Sequence, residues 1–232
     1  MAERLDHVLV DEFQDVNAAQ EESVRRVTVR GPRVTIVGDP RQAIYGFRGA
    51  SPDHLLRFPE AFGRRARVLA LATNFRATRH LVDLANRVEP GLAPMRAASR
   101  ARGAMPRLEG FPDAASEAEA AVQRVSGWDL AESTVLVRAR HHAAAFLLAW
   151  RRSGREEPPP LRTIHAAKGL EWERVLLLGA REGNLPSDRA ATPEALAEER
   201  RMLYVAVTRA RKELGWRPET LKRLAADLAS LA

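Results

Sequence analysis

The chain has 232 residues, enough for one large or two small domains, and a hydrophobic share of 45% supplies a real core. Cysteine is absent, which excludes disulfides and thiolate metal sites, and no apolar run approaches the roughly eighteen residues of a membrane helix. The balance of 37 Lys+Arg against 30 Asp+Glu, a net +7, favours polyanions such as nucleic acid or nucleotides, although an Arg- and Ala-rich coding bias accounts for part of it. With no signal-peptide pattern at its start and no cysteine, the sequence fits a reducing cytoplasm most simply.

Strand-length apolar runs alternate with helix-period segments along the chain. Strands are predicted at 7–10, 33–37, 67–71, 134–138, 161–164 and 174–179. Most are continuous rather than alternating, as expected of strands covered on both faces. Helices are predicted at 17–29, 52–58, 77–88, 114–125, 142–153, 194–213 and 218–230. The helix over 194–213 sets Leu203, Val207, Ala210 and Leu214 on one stripe. Such alternation predicts an α/β fold with a parallel sheet flanked by helices. Residues 89–112, with Pro, Gly and scattered Arg, and residues 153–160 (SGREEPPP) read as linkers.

Polar residues collect where the predicted strands end. "HVLVDEFQD" (7–15) closes a strand with Asp11 and Glu12, at the carboxyl edge where open α/β sheets bind ligands. An Asp there can hold Mg²⁺, and a neighbouring Glu can orient or deprotonate an attacking water. "RVTIVGDPRQAIYGFRGA" (33–50) ends its strand with Asp39, followed by Gln42, Tyr45, Phe47 and Arg48. Gln suits a phosphate oxygen or a water, and aromatics beside Arg suit bases and backbone. Arg76 in "NFRAT" sits at a strand-to-helix transition. Thr163, His165 and Lys168 share a short loop that offers donors to a phosphate backbone, with Glu171 following. Arg209 falls beside the apolar stripe of the 194–213 helix, where it could stabilise charge in phosphoryl transfer. Each feature alone has an ordinary alternative: a solvated acidic turn, a core aromatic, a surface arginine.

The order of these segments resembles the UvrD/Rep-type superfamily 1 DNA helicases. "VDEFQD" is similar to their Walker B motif, and "VGDPRQAIYGFRGA" to the third motif in its RecB/AddA-like, proline-containing variant. "NFRAT", "TIHAAKGLEWERVLLLG" and "EERRMLYVAVTRAR" resemble the fourth, fifth and sixth. The resemblance implies a RecA-like P-loop NTPase fold and ATP and Mg²⁺ as cofactors, with Asp11 holding the metal and Glu12 activating water. Gln42 would sense the γ-phosphate, Arg76 and Arg209 would act as arginine fingers, and Glu171 would touch the nucleotide sugar. Tyr45, Phe47, Arg48, Thr163, His165 and Lys168 would contact single-stranded DNA. The family often carries Trp where this chain has Phe47. Family settings are DNA repair and recombination, with 3′ to 5′ polarity.

The resemblance also has gaps. No G-x-x-x-x-G-K-[ST] occurs in the sequence, so the family's Walker A phosphate loop is missing. The expected organisation is a partial first RecA-like domain over 1–63 and a second over 64–232. In the second, 153–160 stands where the family inserts an accessory domain. Without the phosphate loop, several charge-assisted contacts of about 1.5–3 kcal/mol each are lost. The isolated chain is therefore expected to hydrolyse ATP poorly or not at all. The expectation is a helicase or translocase segment that works with an upstream Walker A-containing polypeptide or subunit and needs no membrane. The alternatives are an ATP-independent single-strand-binding module and a non-functional remnant.

Overall fold

The structure, a computed structural model, describes residues 5–28, 32–62, 66–108 and 111–216. The chain divides into two compact units, Met1–Leu71 and Ala72–Ala232.

The first unit is built on two parallel strands, β1 (His7–Val10) and β2 (Arg33–Ile36), in register from His7↔Arg33 to Val10↔Ile36. Parallel neighbours need a crossover, and α1 (Ala18–Thr28) supplies it. A reciprocal cap opens that helix: Asn17 N–H donates to Gln20 Oε1 and Gln20 N–H to Asn17 Oδ1, both at 3.0 Å. On its exposed face Glu22 is bracketed by Arg25 and Arg26, and the Arg25 hydrogen bond comes first in lowering its pKa to about 2. Two short helices, α2 (Pro52–Leu56) and α3 (Phe58–Ala61), follow the β2 loops. Ser51 caps α2 by accepting the Asp53 amide, and Pro52 occupies the first turn, where it needs no donor. Phe13 and Ile44 are fully buried, and the Phe13 ring meets Phe58 edge-on at 5.7 Å.

The strand expected over 67–71 is not formed. Residues 66–72 are irregular, and Val68, Leu69 and Leu71 are 78%, 70% and 92% exposed. A β-strand is defined by a paired ladder, and apolar, β-branched composition does not create one where no partner strand lies alongside.

The second unit opens with β3 (Thr73–Asn74) and β4 (Arg96–Ala97), a small parallel pair around α4 (Arg79–Val88). Its main sheet has five parallel strands in the order β5-β9-β8-β6-β7. These are β5 (Arg107–Leu108), β6 (Ser133–Val137), β7 (Leu161–Thr163), β8 (Trp172–Leu178) and β9 (Ala210–Trp216). On one face α5 (Ala114–Val125) and α6 (Ala144–Arg152) bury Val122, Val125, Phe146 and Trp150 against Val135, Val137, Leu176 and Leu178. By alternation, the equally buried Leu136, Val175 and Leu177 point to the other face. There α4 packs against β9 and α7 (Pro193–Val207).

The sequence predicts one helix over 194–213, but α7 ends at Val207 and β9 begins at Ala210. Thr208 folds back, its hydroxyl donating to the carbonyls of Tyr204 and Val205 at 2.9 and 3.0 Å, which ends the helix. The stripe misleads because a spacing of four is also a multiple of the strand period of two. Ala210 and Leu214 are buried as strand residues instead. The linker over 89–112 contains β4 and β5. The linker over 153–160 is stitched to β6, with Val135 N–H and the Thr134 hydroxyl both donating to the Pro160 carbonyl at 2.9 and 2.7 Å. The helix expected over 218–230 lies outside the described residues. Among those described, no helix is long and apolar enough to cross a membrane.

Candidate functional site

In the first unit the polar residues gather at the carboxyl edge of β1 and β2. Asp11 leaves β1 with its carboxylate exposed, and its Oδ1 accepts the Glu12 amide at 2.8 Å. Glu12 lies in the left-handed region (φ 51°, ψ 41°), the single described residue other than glycine with positive φ. For a residue other than glycine this conformation costs about 1–2 kcal/mol. The chain is held on either side of it: Phe13 N–H donates to the Val37 carbonyl at 3.0 Å, and the Phe13 ring is buried.

Gln14, fully buried, links the two strand ends. Its amide nitrogen donates to Glu12 Oε2, and its carbonyl accepts the Asp39 N–H at 3.0 Å. Asp39 in turn accepts the Arg41 amide and the Gln42 side-chain amide, each at 3.0 Å. The chain Glu12–Gln14–Asp39–Gln42 thus ties two residues expected to act on a nucleotide into one network. Gln14 is absent from the residues singled out in the sequence, although a polar residue right after the apolar Phe13 was the available signal. Gly38 makes room for it, since a Cβ there would come within 2.5 Å of Gln14 Oε1.

The next loop carries Tyr45, Phe47 and Arg48. The two rings meet at 5.9 Å, and the Arg48 guanidinium lies 5.3 Å from the Tyr45 centroid and 5.4 Å from that of Phe47. Burial, followed by the negative charge of Asp15, raises the Tyr45 pKa, so the phenol stays protonated. Phe47 is 69% exposed, and Gly49 (φ 77°) turns the chain away after Arg48. An exposed ring beside a cation suits a stacked base and its phosphate.

In the second unit, residues 164–171 run from the carboxyl end of β7 to the amino end of β8. Ile164 and Ala167, both fully buried, pin this loop to the core. Thr163 ends β7, and its hydroxyl accepts the Ala166 amide at 3.2 Å. Thr163, His165 and Lys168 are all half-buried in this stretch. At the far end Glu171 pairs with Arg76, and Arg211 stands 3.8 Å away on its other side. Asn74 sets the Arg76 backbone by accepting the amides of Arg76 and Ala77, each at 2.9 Å.

Arg209 is in the turn between α7 and β9, not on a helix. It is 2% exposed. Its Nε donates to Val205 O at 3.1 Å, Nη1 to Leu170 O at 3.0 Å and Nη2 to Thr208 Oγ1 at 3.1 Å. The guanidinium therefore fastens the end of α7 to the residue before Glu171. The structure brings Arg76, Glu171 and Arg209 together at the amino ends of β8 and β9, and sets Thr163 at the carboxyl end of β7.

The family model described as the UvrD/REP helicase N-terminal domain matches residues 1–63, and that of the UvrD-like helicase C-terminal domain matches 151–216. The chain belongs to the UvrD/Rep-type helicase family. It is 32% identical over 227 residues to DNA helicase IV of Escherichia coli, covering 88% of this chain and 32% of that protein. Identity is 30% over 234 residues to a probable DNA helicase of Mycoplasma pneumoniae, covering 91% and 43%. With ATP-dependent DNA helicase UvrD2 of Mycobacterium bovis it is 29% over 324 residues, covering 89% and 46%. The chain thus spans from about a third to just under half of the length of these relatives. The 324-residue alignment exceeds the 232 residues of this chain, so it includes UvrD2 segments that have no counterpart here. The parallel sheets flanked by helices are the RecA-like α/β architecture of UvrD-like helicase domains.

Within the first unit, one strand-end acid fits a metal and the other does not. Asp11 offers a hard, exposed carboxylate of the kind Mg²⁺ prefers, whereas both oxygens of Asp39 accept hydrogen bonds from its own loop. The sequence contains no glycine-rich cradle for the triphosphate. One further pairing escaped the sequence reading. Arg138, at the end of β6, forks onto Glu199 of α7, 5% exposed, with Nη2–Oε1 at 2.8 Å. Sixty-one residues separate the two, so no local pattern announces the pair.

Proposed function

We propose that this chain is the motor portion of an ATP-dependent DNA helicase or translocase, coupling ATP hydrolysis to movement on single-stranded DNA with the family's 3′ to 5′ polarity. Mg²⁺, when bound, supplies charge neutralisation to the nucleotide phosphates. Asp11 is the residue that would hold it. Glu12, oriented by Gln14, is the base for the attacking water, and Gln42, held by Asp39, reports the γ-phosphate state to the neighbouring loop. In the second unit Arg76 is the phosphate-facing arginine and Glu171 the sugar contact. Arg209 serves the same chemistry by fixing the segment that carries Glu171. Tyr45, Phe47, Arg48, Thr163, His165 and Lys168 grip the strand.

The observation that carries this reading is the Glu12–Gln14–Asp39–Gln42 network. It joins a strained acid to a loop whose next residues are an exposed aromatic–arginine cluster, which is the connection a motor requires. We further propose that the phosphate cradle comes from an upstream Walker A-containing polypeptide or subunit. The first unit supports this: its sheet has only two strands among the described residues, and Leu9 is 73% and Val37 52% exposed. Parallel sheets are ordinarily larger and covered on both faces.

The test is ATPase activity with single-stranded DNA, on this chain and on a version joined to an upstream segment carrying G-x-x-x-x-G-K-[ST]. Activity in the joined version alone is expected, and should vanish in Glu12→Gln. A joined, folded protein with no DNA-stimulated turnover would end the motor reading. A second reading, an ATP-independent single-strand-binding module, is favoured by the missing cradle beside the exposed Phe47. It predicts salt-dependent DNA binding that ATP leaves unchanged.

A further inference from the structure

A cavity of about 330 Å³ lies in the second unit, at the carboxyl edge of β6 and β8, apart from the loop over 164–171. Its volume falls in the range of small-molecule sites. Phe146 and Leu178 give it an apolar wall. The polar groups that converge on it are Glu117, His141, His142, Arg181 and Asn184.

Among these groups, one carboxylate is held by the backbone and one imidazole keeps an unused nitrogen. Glu117 is 7% exposed, with Oε1 accepting the Gly179 amide at 2.9 Å. His141 and His142 stack edge to face at 4.1 Å. The Nδ1 of His142 is buried and has no hydrogen-bond partner. Burial foremost, then the positive charges of His141, Arg181 and Arg138, pull the His142 pKa below its usual 6.5. At neutral pH it is therefore an uncharged ring with an unsatisfied nitrogen.

Two imidazoles and a carboxylate at one site first suggest a metal. Among the described residues, however, no group of three His, Asp or Glu is placed to hold one. The chemistry fits an organic ligand with a planar, apolar, hydrogen-bonding part and an anionic part. Glu117 can accept from an exocyclic amine, Asn184 can pair with a ring edge, and Arg181 presents positive charge to a phosphate.

We infer that this pocket binds one nucleotide unit, base on His142 and phosphate on Arg181, supplied either by a nucleic-acid strand or by a free mononucleotide. In its strand form the inference rests on the single-strand reading above; in its mononucleotide form it does not.

Both forms are tested on the full chain. The histidine ring signals are followed by NMR while deoxycytidine or deoxyguanosine monophosphate is added. In parallel, a fluorescent oligodeoxycytidylate is titrated against wild type, Arg181→Gln, His142→Gln and the first-unit variant Phe47→Ala. The expected result is a saturable shift of the His142 ring signals, with affinity about tenfold weaker in Arg181→Gln. Oligonucleotide binding weakened by the pocket variants assigns the site to strand. Ring shifts with unaffected or absent oligonucleotide binding assign it to free mononucleotide. Silent ring signals, with oligonucleotide binding that drops in Phe47→Ala but not in the pocket variants, would overturn this inference and leave the single-strand reading intact. Silent signals with no oligonucleotide binding at all would overturn both.

Discussion

Arg209→Ala separates two jobs for one arginine. If its guanidinium served only to meet a phosphate, its loss would leave the fold untouched. The structure predicts otherwise, because three donors of a 2%-exposed side chain are spent on Val205 O, Leu170 O and Thr208 Oγ1. Alanine takes the donor from the Leu170 carbonyl, while the Val205 carbonyl keeps the Thr208 hydroxyl, and an acceptor left short costs about 1–3 kcal/mol. Releasing the guanidinium to water in the unfolded chain no longer counts, which offsets part of that loss. A net destabilisation of about 1–2 kcal/mol is expected, a sizeable share of the roughly 5–15 kcal/mol that holds a domain folded.

The assay is convenient because all four tryptophans, Trp128, Trp150, Trp172 and Trp216, belong to the second unit. Urea unfolding followed by tryptophan fluorescence therefore reports that unit alone. Arg209→Lys, which keeps the charge but offers one nitrogen, should recover only part of the difference. If Arg209→Ala unfolds within about 0.5 kcal/mol of wild type, the clamp is not structural and the reasoning fails.

Other consequences can be measured separately. Gly38→Ala should drive a methyl against Gln14 Oε1, 2.5 Å away, and speed hydrogen exchange in residues 5–62, with about 1–3 kcal/mol lost from the first unit. Arg76→Ala removes a half-exposed ion pair with Glu171, so thermal stability should change by under about 1 kcal/mol while ATPase activity of the joined protein falls. His142 has a folded-state pKa below 6.5, so as pH falls through 6.5 the unfolded chain takes up its proton first. The stability present above pH 6.5 is thus lost on the acid side, down to the folded-state pKa. His142→Gln should flatten that part of the midpoint–pH curve; an unchanged slope would mean the ring is not buried as described.

Much of the architecture was legible in local pattern. Strands 7–10, 33–36 and 133–137 are runs of β-branched and aliphatic residues that end in polar ones, and each formed within a residue or two of its expected bounds. The helix over 114–125 carries its own start signal, Asp113, whose carboxylate accepts the Ser116 amide at 2.8 Å. The failures were at places decided by distant parts of the chain. Residues 67–71 (RVLAL) are more apolar than 210–216 (ARKELGW), yet only the second lies beside neighbours, β5 and β8, that can pair with it. Which run becomes a strand is settled by that pairing, and a single-sequence pattern does not contain it. The same holds for the site. The acids at strand ends stand out in the sequence, whereas Gln14 and the Arg138–Glu199 pair depend on residues tens of positions away.

Glu12 shows why the motif has its particular order. Asp11 continues from the strand and stays in solvent, so the chain must turn at the next residue to bury Phe13. That turn forces Glu12 into the left-handed region, where glycine would fold more easily. A glutamate persists there because both sides are over-determined: Phe13 is locked by its ring and by the Val37 carbonyl, and Gln14 holds the Glu12 carboxylate from behind. The strain is therefore supported by two buried residues with no chemistry of their own. In the motif Asp-Glu-Phe-Gln-Asp, the middle Phe and Gln are as necessary to the geometry as the acids are to the proposed reaction, since without them Glu12 has no reason to keep its conformation.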